Sequence, residues 1–162
     1  MAEPHGSEPG ERTGLEVAVV GMAGRFPGAD DIHAFWQNLR AGVESIRRYS
    51  RDELLAAGAD PASLDNPAFV PAKGELRAAD EVDAALFGLT PRDAEVLNPQ
   101  HRVLLECAWA ALEHAGVDPL RAERPIGMFA GCGTNSYVLN LAGTPELVQA
   151  LGMTRITLGN DK

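Results

Sequence analysis

Asn98-Pro99-Gln100-His101-Arg102-Val103-Leu104-Leu105-Glu106-Cys107-Ala108-Trp109-Ala110-Ala111-Leu112-Glu113-His114-Ala115-Gly116 spells one long helix with a marked beginning. Asn98 can cap a helix, and Pro99 suits the first helical position, where a missing N–H costs nothing. At 100° per residue, Val103, Cys107, Ala108, Ala111, Leu112 and Ala115 fill one side, and Leu105 and Trp109 widen the apolar arc beyond half the circumference. Arg102, Glu106 and Glu113 share the remaining stripe. The pattern predicts a mostly buried helix with one charged ridge.

Working outward, Thr90-Pro91 starts a preceding helix by the same cap-then-proline rule, and Asn98-Pro99 ends it. Further upstream, Asp30 and Asp31 can cap a helix whose Ile32, Phe35, Trp36 and Leu39 share one face before Gly42. Ser50 and Glu53 have capping-box spacing before Leu54 and Leu55, with Gly58 as a stop. Pro61, Pro67 and Pro71 mark a long irregular crossing. Downstream of Gly116, a helix is predicted from about Asn135 to Leu141, and Thr144-Pro145-Glu146 opens another that Gly152 closes.

Two runs, Val17-Ala18-Val19-Val20 and Ile126 to Ala130, are apolar on both faces, as in a strand buried within a parallel sheet. The pattern is therefore α/β. A parallel sheet needs several such neighbours to satisfy its edge groups, and no other segment is a clear buried strand. The tail Thr154 to Leu158 could add only a short one. On this reading the sheet is unfinished and leaves apolar surface uncovered.

The chain has 162 residues, enough for one domain with a real core. Fourteen basic against 23 acidic residues give a net charge of −9, without the basic footprint of a nucleic-acid binder. No apolar run approaches the ~20 residues of a spanning helix, and the polar start is not a secretory signal, so a cytoplasmic location is expected. Residues 1–14, rich in Gly, Pro and Glu, are expected to form a flexible leader. The two cysteines, Cys107 and Cys132, lack Cys-x-x-Cys spacing, and the four histidines are scattered, so neither a disulfide framework nor a metal site is indicated.

The long helix resembles a signature segment of modular β-ketoacyl synthases, the ketosynthase domains of polyketide synthases. Three further blocks in the right order carry the same resemblance. Val17 to Ala29 looks like the opening strand and turn, Ile126 to Gly131 a later buried strand, and Gly159-Asn160-Asp161-Lys162 the entry to the catalytic region. Asn98 departs from the Asp usual in the family. The resemblance implies an N-terminal portion of a thiolase-like α/β fold over residues 15–162. It also implies that the nucleophilic cysteine and its two histidines lie beyond this segment, so that these residues alone should be inactive.

Local alternatives compete with it. Cys132 sits at a strand-to-helix turn, where a nucleophile elbow would place it, but Ala130 and Thr134 occupy the positions such an elbow gives to glycine. A cysteine hydrolase using Cys132 therefore stands as a minor alternative to a small side chain packed under a turn. Cys107, with Val103 and Ala111 one turn away, is explained as a small hydrophobe. His101 and His114, thirteen positions apart on one helix, are assigned capping or surface roles. Gly21 to Gly28 follows a strand but fails both phosphate-loop spacings, having Ala23 and Ala29 where glycine and lysine are needed. A tight turn with Arg25 held by carbonyls or carboxylates is preferred.

By the resemblance, the turn after Ala130 borders the acyl pocket, which makes Cys132, Thr134 and Asn135 substrate-pocket candidates. The implied reaction is decarboxylative Claisen condensation of an acyl thioester with a malonyl-type extender. The implied partners are acyl carrier protein bearing phosphopantetheine and a second protomer, with no cofactor bound directly. A non-catalytic binding or dimerisation piece is the other alternative.

Overall fold

The computed structural model describes residues 14–133 and 136–158. Local chemistry sets the helix starts. In α1 (Ile32–Ala41) the Asp31 carboxylate accepts from the Ala34 N–H at 2.7 Å. Gly42 ends that helix with φ 66°, a left-handed conformation that glycine adopts without a Cβ penalty. Ser50 and Glu53 form a reciprocal capping box on α2 (Arg51–Ala56). Thr90 caps α4 (Pro91–Val96), and Asn98 caps α5 (Pro99–His114) by accepting from the Gln100 N–H at 2.9 Å. The proline-marked crossing is less irregular than expected, because Asp60 caps a short α3 (Pro61–Leu64).

Among the described residues the sheet is one antiparallel ladder, β1 (Arg47–Arg48) against β2 (Ala72–Lys73). The two runs expected as buried strands are neither paired nor buried. Val17 is 91% exposed, Val19 77%, and Phe129 fully exposed. A strand is defined by its partner, and nothing among the described residues offers these runs a ladder. The chain after Gly152 also differs from expectation. Thr154 to Leu158 lies within a helix, α8 (Met153–Leu158), because local hydrogen bonds are within reach when no sheet is.

The best-packed core lies at this end. Val96, Leu141 and the wholly buried Ile156 form its centre, and Tyr137, Val138, Leu147, Val148 and Leu151 pack against them. They bring α6 (Tyr137–Ala142), α7 (Pro145–Leu151) and α8 together on the end of α4. Around α5 the packing is looser. Trp109 meets Phe87 edge to face with ring centroids 6.3 Å apart, and Phe26 stacks on Phe35 at 4.0 Å. The first segment passes so close to α5 that a Cβ on Gly21 would run into the Ala111 carbonyl and the Ala115 methyl. Beside it, the Met22 N–H donates to His114 Nδ1 at 2.9 Å. No helix among the described residues is long and apolar enough to cross a membrane.

Candidate functional site

One face of α5 opens into a cleft of about 1130 Å³. Gln100, His101, Val103 and Cys107 line it from the helix, Gly74 to Arg77 from the segment after β2, and Gly131 and Cys132 from the far wall. A smaller cavity of about 290 Å³ lies between α5 and the first turn, lined by Met22, Arg25, His33 and His114 among others.

The wall that carries Cys132 is tied to α5 at Gly133, and α6 beyond it is tied to the α4–α5 junction at Tyr137. Gly133 N–H donates to Gln100 Oε1 at 2.9 Å. Tyr137 O–H donates to the Glu95 carbonyl at 2.9 Å, and Arg102 Nη2 reaches the same hydroxyl at 3.4 Å. Arg102 does not belong to an exposed ridge as the helical wheel suggested. It is 7% exposed, the most buried residue of α5. Its Nε donates to the Leu97 carbonyl at 2.8 Å, its Nη1 to the Asp80 carbonyl and its Nη2 to the Glu95 carbonyl at 3.2 Å. Carbonyls converging from the α4 end and the preceding loop suit the planar five-donor fork of guanidinium, which explains how the charge can be buried here. The other two members of the expected ridge diverge. Glu106 is half-buried against Arg25, and Glu113 is exposed.

Of the three pocket candidates, Cys132 is exposed at the cleft wall, while Thr134 and Asn135 lie outside the described residues. His101 lines the same cleft, but no hydrogen bond among the described residues joins it to Cys132. Cys107 is half-buried, and burial pushes its thiol pKa up, partly countered by the Arg25 charge. That keeps it a thiol near neutrality, in line with a packing role. In the glycine turn, Arg25 is already engaged and is not left for a phosphate. Arg25 Nη1 pairs with Glu106 at 2.9 Å, and its Nη2 donates to the Arg77 carbonyl, the arrangement preferred from sequence. The Gln100 to Gly133 link joins residues 33 apart, and no sequence signal announced it.

Residues 15–158 match the family described as the N-terminal domain of beta-ketoacyl synthase. A phenolphthiocerol/phthiocerol polyketide synthase subunit from Mycobacterium tuberculosis is 48% identical over 153 residues, 90% of this chain and 10% of the relative. Erythronolide synthase EryA3 of Saccharopolyspora erythraea is 39% identical over 128 residues, 78% of this chain and 4% of that protein. Among solved structures, ketosynthase twelve of the Bacillus amyloliquefaciens bacillaene polyketide synthase aligns at TM-score 0.53 and 44% identity, covering 59% of this chain and 17% of that one. The chain thus spans a tenth or less of these curated relatives and about a sixth of the solved ketosynthase. The neighbours bear out the thiolase-like fold expected from sequence and give no support to a cysteine hydrolase. On the family match and these identities, the chain belongs to the beta-ketoacyl synthases and represents their N-terminal domain.

Proposed function

We propose that residues 15–162 serve as the N-terminal part of a ketosynthase domain in a modular polyketide synthase. The reaction is condensation between an acyl group held as a thioester on a cysteine and a malonyl-type extender on acyl carrier protein. Loss of carbon dioxide leaves a carbanion on the extender. It attacks the acyl carbonyl, a carbon–carbon bond forms, and the cysteine thiolate departs. The nucleophile and its histidines belong to chain outside residues 1–162, and Cys107 and Cys132 take no covalent part. The phosphopantetheine arm arrives with the carrier protein, the domain acts with a second protomer, and the work is cytoplasmic.

This segment contributes a wall of the acyl pocket. Cys132, with Thr134 and Asn135 following it in the chain, borders the acyl group. The observation that carries the reading is the family match across residues 15–158, together with the exposure of Cys132 in the cleft beside α5. Grafting the segment in place of the matching part of the 44% identical bacillaene ketosynthase tests it. The graft should yield β-ketoacyl product from acyl and malonyl carrier thioesters. A folded dimeric graft that loads no acyl group would refute the proposal.

A further inference from the structure

The Cys132 wall has little packing of its own. Gly131 and Gly133 carry no side chains, and Ile126, Met128 and Phe129 before them are exposed. Its own fixed point is polar, and the next one along the chain, Tyr137, combines a hydrogen bond with packing on the Val96–Leu141–Ile156 core. On one side Gln100, from the first turn of α5, accepts from the Gly133 N–H at 2.9 Å. On the other, the Tyr137 hydroxyl donates to the Glu95 carbonyl at 2.9 Å, and the buried Arg102 guanidinium backs it. Both supports rise from the α4–α5 junction, where Asn98 and Val96 are buried. The Cys132 wall is thus joined to that base at Gly133, and the start of α6 is joined to it at Tyr137.

We infer that Gln100 and Tyr137 are positioning residues that set the distance between the Cys132 wall and α5, and through it the acyl groups the cleft admits. This rests on the proposed function, since it assumes that the cleft is the acyl pocket. Neither residue needs to touch the reacting atoms. Gln100 acts through the backbone at Gly133, and Tyr137 through the backbone at Glu95.

Two measurements test it. In the 162-residue chain, the alkylation rate of Cys132 by iodoacetamide is read by peptide mass spectrometry relative to that of an added free cysteine peptide. Gln100→Ala removes the acceptor and Tyr137→Phe removes the donor. Each should raise that ratio about threefold, within the range expected for losing one hydrogen bond of ordinary net strength. Gln100→Glu keeps an acceptor oxygen and should restore the original ratio, with far-UV circular dichroism unchanged throughout. In a ketosynthase domain carrying this segment, Gln100→Ala should shift the KM for long relative to short acyl thioesters, and Gln100→Glu should return it to the original value. A general loss of structure would lower kcat for all. An unchanged labelling ratio, or a Gln100→Glu variant that behaves like Gln100→Ala, overturns the anchor itself. Altered labelling with an unaltered acyl KM profile overturns the inference at the acyl-pocket reading.

Discussion

Phe129 illustrates how an apolar residue can be free of the fold that surrounds it. It lies in a run that looks made for burial, yet it is fully exposed, whereas Ile156 is 0% exposed at the centre of the α6–α8 core. A packed phenylalanine removed from a core costs about 3 to 5 kcal/mol, and a packed isoleucine truncated to alanine about 2 to 5 kcal/mol. An exposed side chain away from special features changes stability by less than about 0.5 kcal/mol. Phe129→Ser should therefore fall within that small margin in urea unfolding followed by tryptophan fluorescence, while Ile156→Ala should cost several times more. Phe129→Ser should also lower the binding of a hydrophobic dye, because it removes one of several exposed apolar groups along with Val17, Val19 and Met128. A loss above about 2 kcal/mol for Phe129→Ser would show that the run is buried in this chain and that the reading of an uncovered apolar surface is wrong.

Arg102→Met should destabilise the chain by about 3 kcal/mol, because it strands carbonyls that the guanidinium now satisfies. Glu113→Ala, an exposed change on the same helix, gives the baseline in the same urea series. The β1–β2 ladder should loosen in acid. Ser50 first, then Arg47, hold the Glu53 carboxyl below its usual range, and Tyr49 first, then Arg47, do the same for Glu75. A carboxyl depressed in the folded state contributes stability above its unfolded pKa of about 4.3, and that contribution is lost as pH falls through the folded value. Amide exchange at Arg47 and Lys73 should therefore accelerate below about pH 4 relative to α5, and equal acceleration in both would count against it. Cys107 should react with alkylating reagents only at higher pH than an unburied thiol. A rate profile matching that of a free cysteine peptide would contradict the burial seen here.

The parts legible in the sequence were those decided within four residues. The Asp31, Ser50, Thr90 and Asn98 caps need only a side-chain acceptor and the next turn, and all four occur as expected. Val17 to Val20 and Ile126 to Ala130 depend on distant partners, so their composition could show what they would do in a sheet but not supply one. The tail Thr154 to Leu158 offered at most a short strand, a weak preference. The helix instead places Ile156 against Leu141 and Val96, and tertiary packing outweighs that weak preference. Arg102 was misplaced on a charged ridge because a helical wheel knows nothing of the carbonyls of Leu97, Asp80 and Glu95. The site was legible as a glycine-rich turn at Cys132 after an apolar run. Its supports were not, since Gln100 and Tyr137 reach it across the fold.

The proposed division of labour assigns acyl loading to chain outside residues 1–162 and a wall of the pocket to this segment. Mapping the acylated residue is the most direct test. A ketosynthase domain carrying the segment is loaded from an acyl carrier thioester, digested and read by mass spectrometry for the cysteine bearing the acyl mass. The account predicts a single acylated cysteine outside residues 1–162, with Cys107 and Cys132 unmodified and loading retained in Cys132→Ala. Stoichiometric acyl adduct on Cys132, lost with Cys132→Ala, would contradict it.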